Sequence, residues 1–325
     1  MKNEVKTLSD AIRYFADEQV CIDTVAQMRW PNGPQCPKCN SGEIRQHWLA
    51  TQKRWQCRDC GKQYSVKVNT IFEDSALKLD KWLTAMWMLA NCKNGVSSYE
   101  ISRSVGVTQK SAWFMLHRIR EAMMNKSVLK MGNTGGPVEV DECFVGGDPR
   151  KMHKSRRWEL KGKFGVGGDH KTAVMGMLDR DTRQVRTQVV PNVKRETLQD
   201  EILKHITQGS AVYTAMHGAY DRLAYKNFVH ETVTHLDEYV RGNVHTQGIE
   251  NFWSLLKRTL KGTYVAVEPF HLDAYADEQC FRFNNRATKD NPLDDQDRFM
   301  ALLSQVSGKR LTYAELTGKT GLPPF

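Results

Sequence analysis

The sequence predicts a multidomain chain of mixed α+β and α/β class, in which a small metal-knit ribbon and a set of helices precede a larger mixed-sheet domain. Three observations predict it: paired Cys-x-x-Cys knuckles near the start, short helices joined by a glycine-containing turn, and an apolar strand that carries two acids before strands and helices begin to alternate. With 325 residues, 40% hydrophobic and 9% aromatic, the chain has room for roughly two or three domains with real cores. No apolar run approaches the roughly 20 residues of a membrane span, and MKNEVKTLSD lacks the apolar stretch of a signal peptide, so a cytoplasmic protein is expected. The net charge of +10 and a pI of about 9.1 suit a polyanionic partner, although charge alone does not name one.

Residues 1–33 form an N-terminal helical segment. Over 7–30, Ser9 or Asp10 could cap a helix whose apolar face includes Ile12, Phe15, Ile22 and Val25. Residues 34–72 carry Cys36-Pro-Lys-Cys39 and Cys57-Arg-Asp-Cys60-Gly61, which at knuckle spacing present four thiolates to a tetrahedral Zn²⁺; strand-like residues with Trp48 and Trp55 lie between, as in a zinc ribbon. Two disulfides are the alternative, which a reducing cytoplasm disfavours. Cys21, Cys92, Cys143 and Cys280 sit in apolar contexts and read as buried thiols.

Residues 76–130 read as a helix-turn-helix region. An apolar helix over 81–92 precedes a short polar one over 97–104, a turn at Val105-Gly106-Val107-Thr108, and a longer helix over 109–124 capped by Thr108. Gln109, Lys110, Ser111 and Phe114 would open the recognition helix, and Gln109, Lys110, Ser111 and Arg118 are its candidate DNA contacts. An ordinary helical hairpin is the other reading.

Residues 137–290 open with VEVDECFV at 138–145. Apolar residues surround Asp141 and Glu142, so the strand is either a metal-binding core strand or an edge strand with a solvated acidic pair. A basic insertion at 148–171 follows, with Arg150, Lys151, Lys154, Arg156, Arg157, Lys161 and Lys163 among Trp158 and Phe164, and reads as a loop able to sit on phosphates or one that is merely solvated. Strands over 172–178 and 184–191, a helix over 194–206, a strand over 211–214, a helix over 218–228 and a strand over 231–236 complete an RNase H-like order, in which carboxylates on the first and fourth strands and a later helix meet around two divalent metals. Glu250 and Lys257 are seven positions apart, roughly 700° at about 100° per residue, and share one helix face. His245 before them and Arg258 after them bring further polar and cationic groups to the same mouth. Residues 291–325 are a C-terminal helical tail.

VEVDECFVGG, HTQGIENFWSLLKRTLKGTY and HLDAYADEQCFRFNNR resemble the ISXO2-like family of insertion-sequence transposases, over roughly residues 10 to 290. The resemblance implies a zinc ribbon, a helical DNA-binding region and a DDE-type catalytic domain with Mg²⁺ or Mn²⁺ beside structural Zn²⁺. It makes Asp141 the first catalytic carboxylate, Glu250 the third acidic position and Lys257 the basic residue after it. The family varies at that third position, where Asn251 and Gln247 are neighbours of Glu250. It also implies double-stranded DNA partners (terminal inverted repeats and target), a homodimer or larger assembly on DNA, and the nucleoid of a bacterium or archaeon. In the family the strand at 212–214 ends in an aspartate, whereas this chain has Ala215. A methyl group cannot ligate a metal, so the chain as written is expected to be inactive, either as a trapped-complex variant or as a decayed copy. An engineered change is the favoured reading, because the remaining motifs are intact. The runner-up function is a transposase-derived DNA-binding regulator without catalysis, for which Ala215 is the support; a structure-selective nuclease is a third.

Overall fold

The computed structural model describes residues 5–124, 127–147, 149, 152–159, 170–233 and 243–319. The chain divides into two compact units, Met1–Met124 with Asn285–Pro324, and Asn125–Asn284.

The expected helix over 7–30 is two helices, α1 (Leu8–Tyr14) and α2 (Glu18–Arg29). Thr7, not Ser9 or Asp10, caps α1, with Asp10 as the reciprocal acid of a capping box. Asp17 then accepts from the Gln19 amide and starts α2 afresh, which breaks the run. The ribbon is a three-stranded antiparallel sheet of β1 (Gln46–Leu49), β2 (Arg54–Cys57) and β3 (Gln63–Tyr64).

The next helices follow their caps. After α3 (Leu79–Asn91), Ser97 and Glu100 form a capping box on α4 (Ser98–Val105), and Gly106 closes it at φ 64°, a left-handed position that suits glycine. Thr108 accepts from the Ser111 amide and starts α5 (Gln109–Met123).

The second unit is built on a five-stranded sheet. Its strands are β4 (Val138–Val145), β5 (Thr172–Asp179), β6 (Val185–Val190), β7 (Ala211–Ala215) and β8 (Val229–Val233), in the order β6-β5-β4-β7-β8. The first three are antiparallel, and β7 and β8 run parallel to β4. Between them lie α6 (Lys154–Glu159), a short helix in the expected loop, and α7 (Arg195–His205); α8 (Gln247–Thr259) and α9 (Leu272–Asn284) follow. This is the RNase H-like arrangement.

Both sheet faces are covered, which explains the nearly continuous apolar runs of β4 and β5. Val138, Val140, Met175 and Met177 pack with Leu198 and Ile202 of α7. Cys143, Val174 and Leu178 pack with Ile249, Phe252, Trp253 and Leu256 of α8. The helix expected over 218–228 is instead a pair of short 3₁₀ turns, Gly218–Tyr220 and Leu223–Lys226. Arg222 and Asn227 adopt φ 66° and 63° on either side of the second turn, a geometry that no α-helix continues through. The last strand begins earlier than expected, at Val229, and the remainder of its expected span, 234–236, lies outside the described residues.

The C-terminal helices α10 (Asp295–Leu303) and α11 (Tyr313–Leu316) belong with the first unit. Phe299 of α10 is fully buried, with its ring 5.5 Å from Phe15 and 5.4 Å from Trp87. Lys309 Nζ donates to the carbonyls of Ala122 and Met124 at 3.0 and 3.1 Å, where the end of α5 leaves them unpaired. Phe299→Ala should therefore destabilise this unit by about 3–5 kcal/mol, read as a lower urea midpoint with an unchanged slope.

Candidate active site and metal-binding ribbon

In the ribbon, one sulfur from each of Cys36, Cys39, Cys57 and Cys60 lies within 4.8 Å of all the others. The Cys36–Cys60 and Cys39–Cys57 sulfurs are 3.6 and 3.5 Å apart, near the edge of about 3.8 Å expected when four thiolates sit about 2.3 Å from a tetrahedral zinc. A disulfide needs about 2.05 Å, and all four are free thiols. Ser41 donates to Asp59 at 2.6 Å and Arg45 pairs with the same carboxylate at 2.5 Å, bracing one knuckle against the other. The quartet thus fits zinc and leaves no position for chemistry. Metal analysis should find one zinc per chain, and Cys36→Ser should abolish it and melt the ribbon while the second unit keeps its unfolding transition.

In the second unit, Asp141 of β4 stands opposite Gly176 of β5. A Cβ at 176 would lie 2.5 Å from the Trp253 ring, so the glycine lets the indole of α8 lie against the sheet. There Trp253 Nε1 donates to Asp141 Oδ2 at 3.1 Å, which fixes the carboxylate. Gly176→Ala should cost about 1–3 kcal/mol in thermal unfolding and shift the tryptophan emission as Trp253 moves.

Asp141 and Glu142 do not form one site. Successive strand residues point to opposite faces, and Glu142 turns to the α7 side, where Tyr220 donates its hydroxyl to it. Burial, and then the charge of Asp141, push the Glu142 carboxyl up to about 8. On the parallel side the last paired positions are Val140 and Thr214, so one step further places Ala215 beside Asp141. Glu250 comes from the first turns of α8, where Thr246 Oγ1 donates to its Oε1 at 2.8 Å. Lys257 is exposed on the same helix, and its ammonium reaches the Cys143 thiol, whose pKa burial raises and Lys257 lowers. Among the described residues, the cysteine quartet is the one group of three or more metal-ligating side chains that converges. Asp141 and Glu250 offer carboxylate oxygens of the kind that bind Mg²⁺ or Mn²⁺, and the methyl of Ala215 offers none.

Glu139, two residues before Asp141, lies within VEVDECFVGG but was given no role by it. It is 1% exposed and accepts from Arg180 Nε at 2.6 Å and from the Ile249 amide at 2.9 Å. Arg180 Nη2 also lies 2.8 Å from Nδ1 of the half-buried His245. The signal available in the sequence was an acid at a fully buried position of an apolar strand, together with the glycine of HTQG.

The predicted DNA contacts separate. Lys110 is exposed on α5, 4.9 Å from the Tyr313 ring. Gln109 donates to Ser98 Oγ at 2.8 Å, and the Ser111 and Thr108 hydroxyls are 2.9 Å apart, so both side chains serve the helix ends. Phe114 is half-buried against Tyr313. Arg118 is a correction: it is 4% exposed, donates to the Glu73 carbonyl and stacks near Trp82 and Phe114. Its aliphatic stem and planar head make it a core residue of α5. Lys154 and Arg157 are exposed on α6 beside Trp158, and Arg258 is exposed on α8. Arg150, Lys151, Lys161, Lys163 and the Arg156 side chain lie outside the described residues. Cys92 is a second correction, since it sits exposed at the end of α3, whereas Cys21, Cys143 and Cys280 are buried.

The RNase H-like sheet, with Asp141 on its first strand and Glu250 on a late helix, is of the class of fold shared by nucleases and transposases. Comparison narrows it: residues 133–284 match the model of the ISXO2-like transposase domain, and residues 16–63 match the transposase zinc-ribbon domain. A protein of Halobacterium salinarum, described as an uncharacterized protein in transposable element ISH50, is 28% identical over 257 residues, 77% of this chain and 85% of that protein. An uncharacterized transposase-like protein of Haemophilus influenzae is 34% identical over 106 residues, 33% of this chain and 85% of that protein. A cryo-EM structure of a simian T-cell lymphotropic virus intasome in complex with a PP2A regulatory subunit aligns at 10% identity and a TM-score of 0.30, over 66% of this chain and 74% of that one, too loosely to carry an argument. The chain belongs to the ISXO2-like transposase family. No helix among the described residues is long and apolar enough to cross a membrane.

Proposed function

We propose that the parent of this chain, with aspartate where Ala215 stands, binds the terminal inverted repeats of an insertion sequence and catalyses metal-dependent strand cleavage and transfer. The observation that carries the reading is the placement of Ala215 beside Asp141, under the helix that brings Glu250. Asp141, the aspartate at 215 and Glu250 would hold Mg²⁺ or Mn²⁺, which when bound neutralises charge at the scissile phosphate and activates the attacking oxygen. Trp253 holds Asp141 in one orientation, Thr246 does the same for Glu250, and Lys257 takes a phosphate next to the one attacked. His245 and Arg258 line the approach. Lys110 on α5 and Lys154 and Arg157 on α6 supply phosphate contacts, and the zinc-loaded ribbon helps to recognise the ends. Two ends must be joined in one event, so the active species is a homodimer or larger assembly on DNA.

The protein as written is then a catalytically dead member that keeps its fold and its DNA. A DNA-binding regulator is the second reading, favoured by the same Ala215. Ala215→Asp decides between them: it should create Mg²⁺- or Mn²⁺-dependent cleavage and joining of transposon ends, and Asp141→Ala in that background should abolish both. Binding without cleavage after Ala215→Asp would establish the regulator. DNA affinity should fall steeply with salt, and replacing Lys154 and Arg157 with Ala should flatten the slope of log affinity against log salt by about 2, roughly 0.9 for each phosphate no longer neutralised.

A further inference from the structure

A threonine at a helix N-cap ordinarily accepts a hydrogen bond from the second or third amide of the helix. Thr246 occupies that position on α8 and makes no such bond. The third amide, that of Ile249, donates instead to Glu139 Oε2, a carboxylate from the centre of the sheet. The Thr246 hydroxyl is thereby turned the other way and donates to Glu250 Oε1 at 2.8 Å. Its backbone, at φ −117° and ψ 18°, lies outside the extended region usual for a cap.

Everything around Glu139 holds this exchange in place. The carboxylate is 1% exposed, and its other oxygen accepts from Arg180 Nε at 2.6 Å. Arg180 also donates to the carbonyls of Asn243 and His245 at 2.6 and 2.7 Å, tying down the segment that leads into α8, and its guanidinium lies 4.9 Å from the Tyr213 ring. A Cβ at Gly248 would sit 2.9 Å from Glu139 Oε2, so the glycine of HTQG allows the carboxylate to close on the helix end. Asp141 and Glu139 are two apart on one strand and face the same helix, so the strand that carries one site acid also fixes the helix that carries the other.

We propose that Glu139 is a positioning residue: by capping α8 from the sheet it releases the Thr246 hydroxyl to orient Glu250 toward the metal site. This rests on the reading of Glu250 as a metal-binding carboxylate. A fully buried, twice-bonded Glu139 is not itself a ligand; it acts through Thr246.

The test uses the full-length chain with two measurements, amide exchange at Ile249 by NMR in the protein as written, and Mn²⁺ affinity by electron paramagnetic resonance in the Ala215→Asp protein. Thr246→Val should leave Ile249 protected and the melting temperature little changed, yet weaken Mn²⁺ binding by about tenfold or more, as loss of an outer partner of a ligand does. Thr246→Ser, which keeps the hydroxyl, should restore it. Glu139→Gln should weaken Mn²⁺ to a similar degree, and the double variant should be no weaker than the worse single one, because both act on one bond. Loss of Ile249 protection in Thr246→Val, or losses that multiply in the double variant, would overturn the proposal. So would unchanged Mn²⁺ affinity in Thr246→Val where Glu250→Gln lowers it. Mn²⁺ binding that survives Glu250→Gln and Asp141→Ala would instead overturn the metal-site reading, and Ile249 exchange would still decide which residue caps α8.

Discussion

The structure of the second unit depends on the burial of β4 on both faces. A central strand with a helix on each side offers its polar residues little water, and an ionised or hydrogen-bonding group buried there needs a protein partner. β4 carries three acids, and each finds a different one. Glu139 takes the Ile249 amide of α8 and the Arg180 guanidinium, Asp141 takes the Trp253 indole, and Glu142 takes the Tyr220 hydroxyl on the opposite face. Two of these partnerships fall on α8, so satisfying the strand also docks the helix. The seat that α8 needs is provided by absence of a side chain, at Gly176 under Trp253 and at Gly248 against Glu139.

Carboxylates brought together repel one another, and bringing them close is useful only when a cation occupies the middle. Under the proposed function an aspartate at 215 would add to that repulsion, whereas the alanine present there leaves no polar group to satisfy. On the same proposal, alanine at 215 offers no oxygen donor to a second ion.

The first unit solves a different problem. The apolar α3 is buried nearly all round, and part of its cover comes from Phe299, which is separated from it by the whole length of the second unit in sequence. The C-terminal segment is therefore part of this unit's core and not a tail, with backbone bonds from Ile71 to Val306 and from Gly308 to Asn69 closing the join. Arg118 belongs to the same core, its guanidinium donating to the Glu73 carbonyl and lying over two aromatic rings. A cation on a helix reads as a surface group from sequence; three-dimensional neighbours made this one structural.

Features whose cause is local were legible in the sequence. The cysteine knuckles declare their metal because both ligands of a pair come from one short loop. α4 and α5 declare their ends because Ser97, Gly106 and Thr108 act on amides and carbonyls a few residues away. The succession of strands and helices in the second unit followed from periodicity and connection length, whereas Asp141, Ala215 and Glu250 were singled out by the resemblance to a family. Local propensity misled where it had no say over backbone handedness, at 218–228, and where Asp17 restarted a helix that hydrophobic periodicity ran together. What only the tertiary structure decided were the pairings between distant residues: which face each acid of β4 looks to, that Arg118 and Phe299 are core, and that Glu139 rather than Thr246 caps α8. Sequence sets a side chain's chemistry, but the partner that a buried polar group must have lies across the sheet, 110 positions along in the case of Glu139 and Ile249, and no local pattern records it.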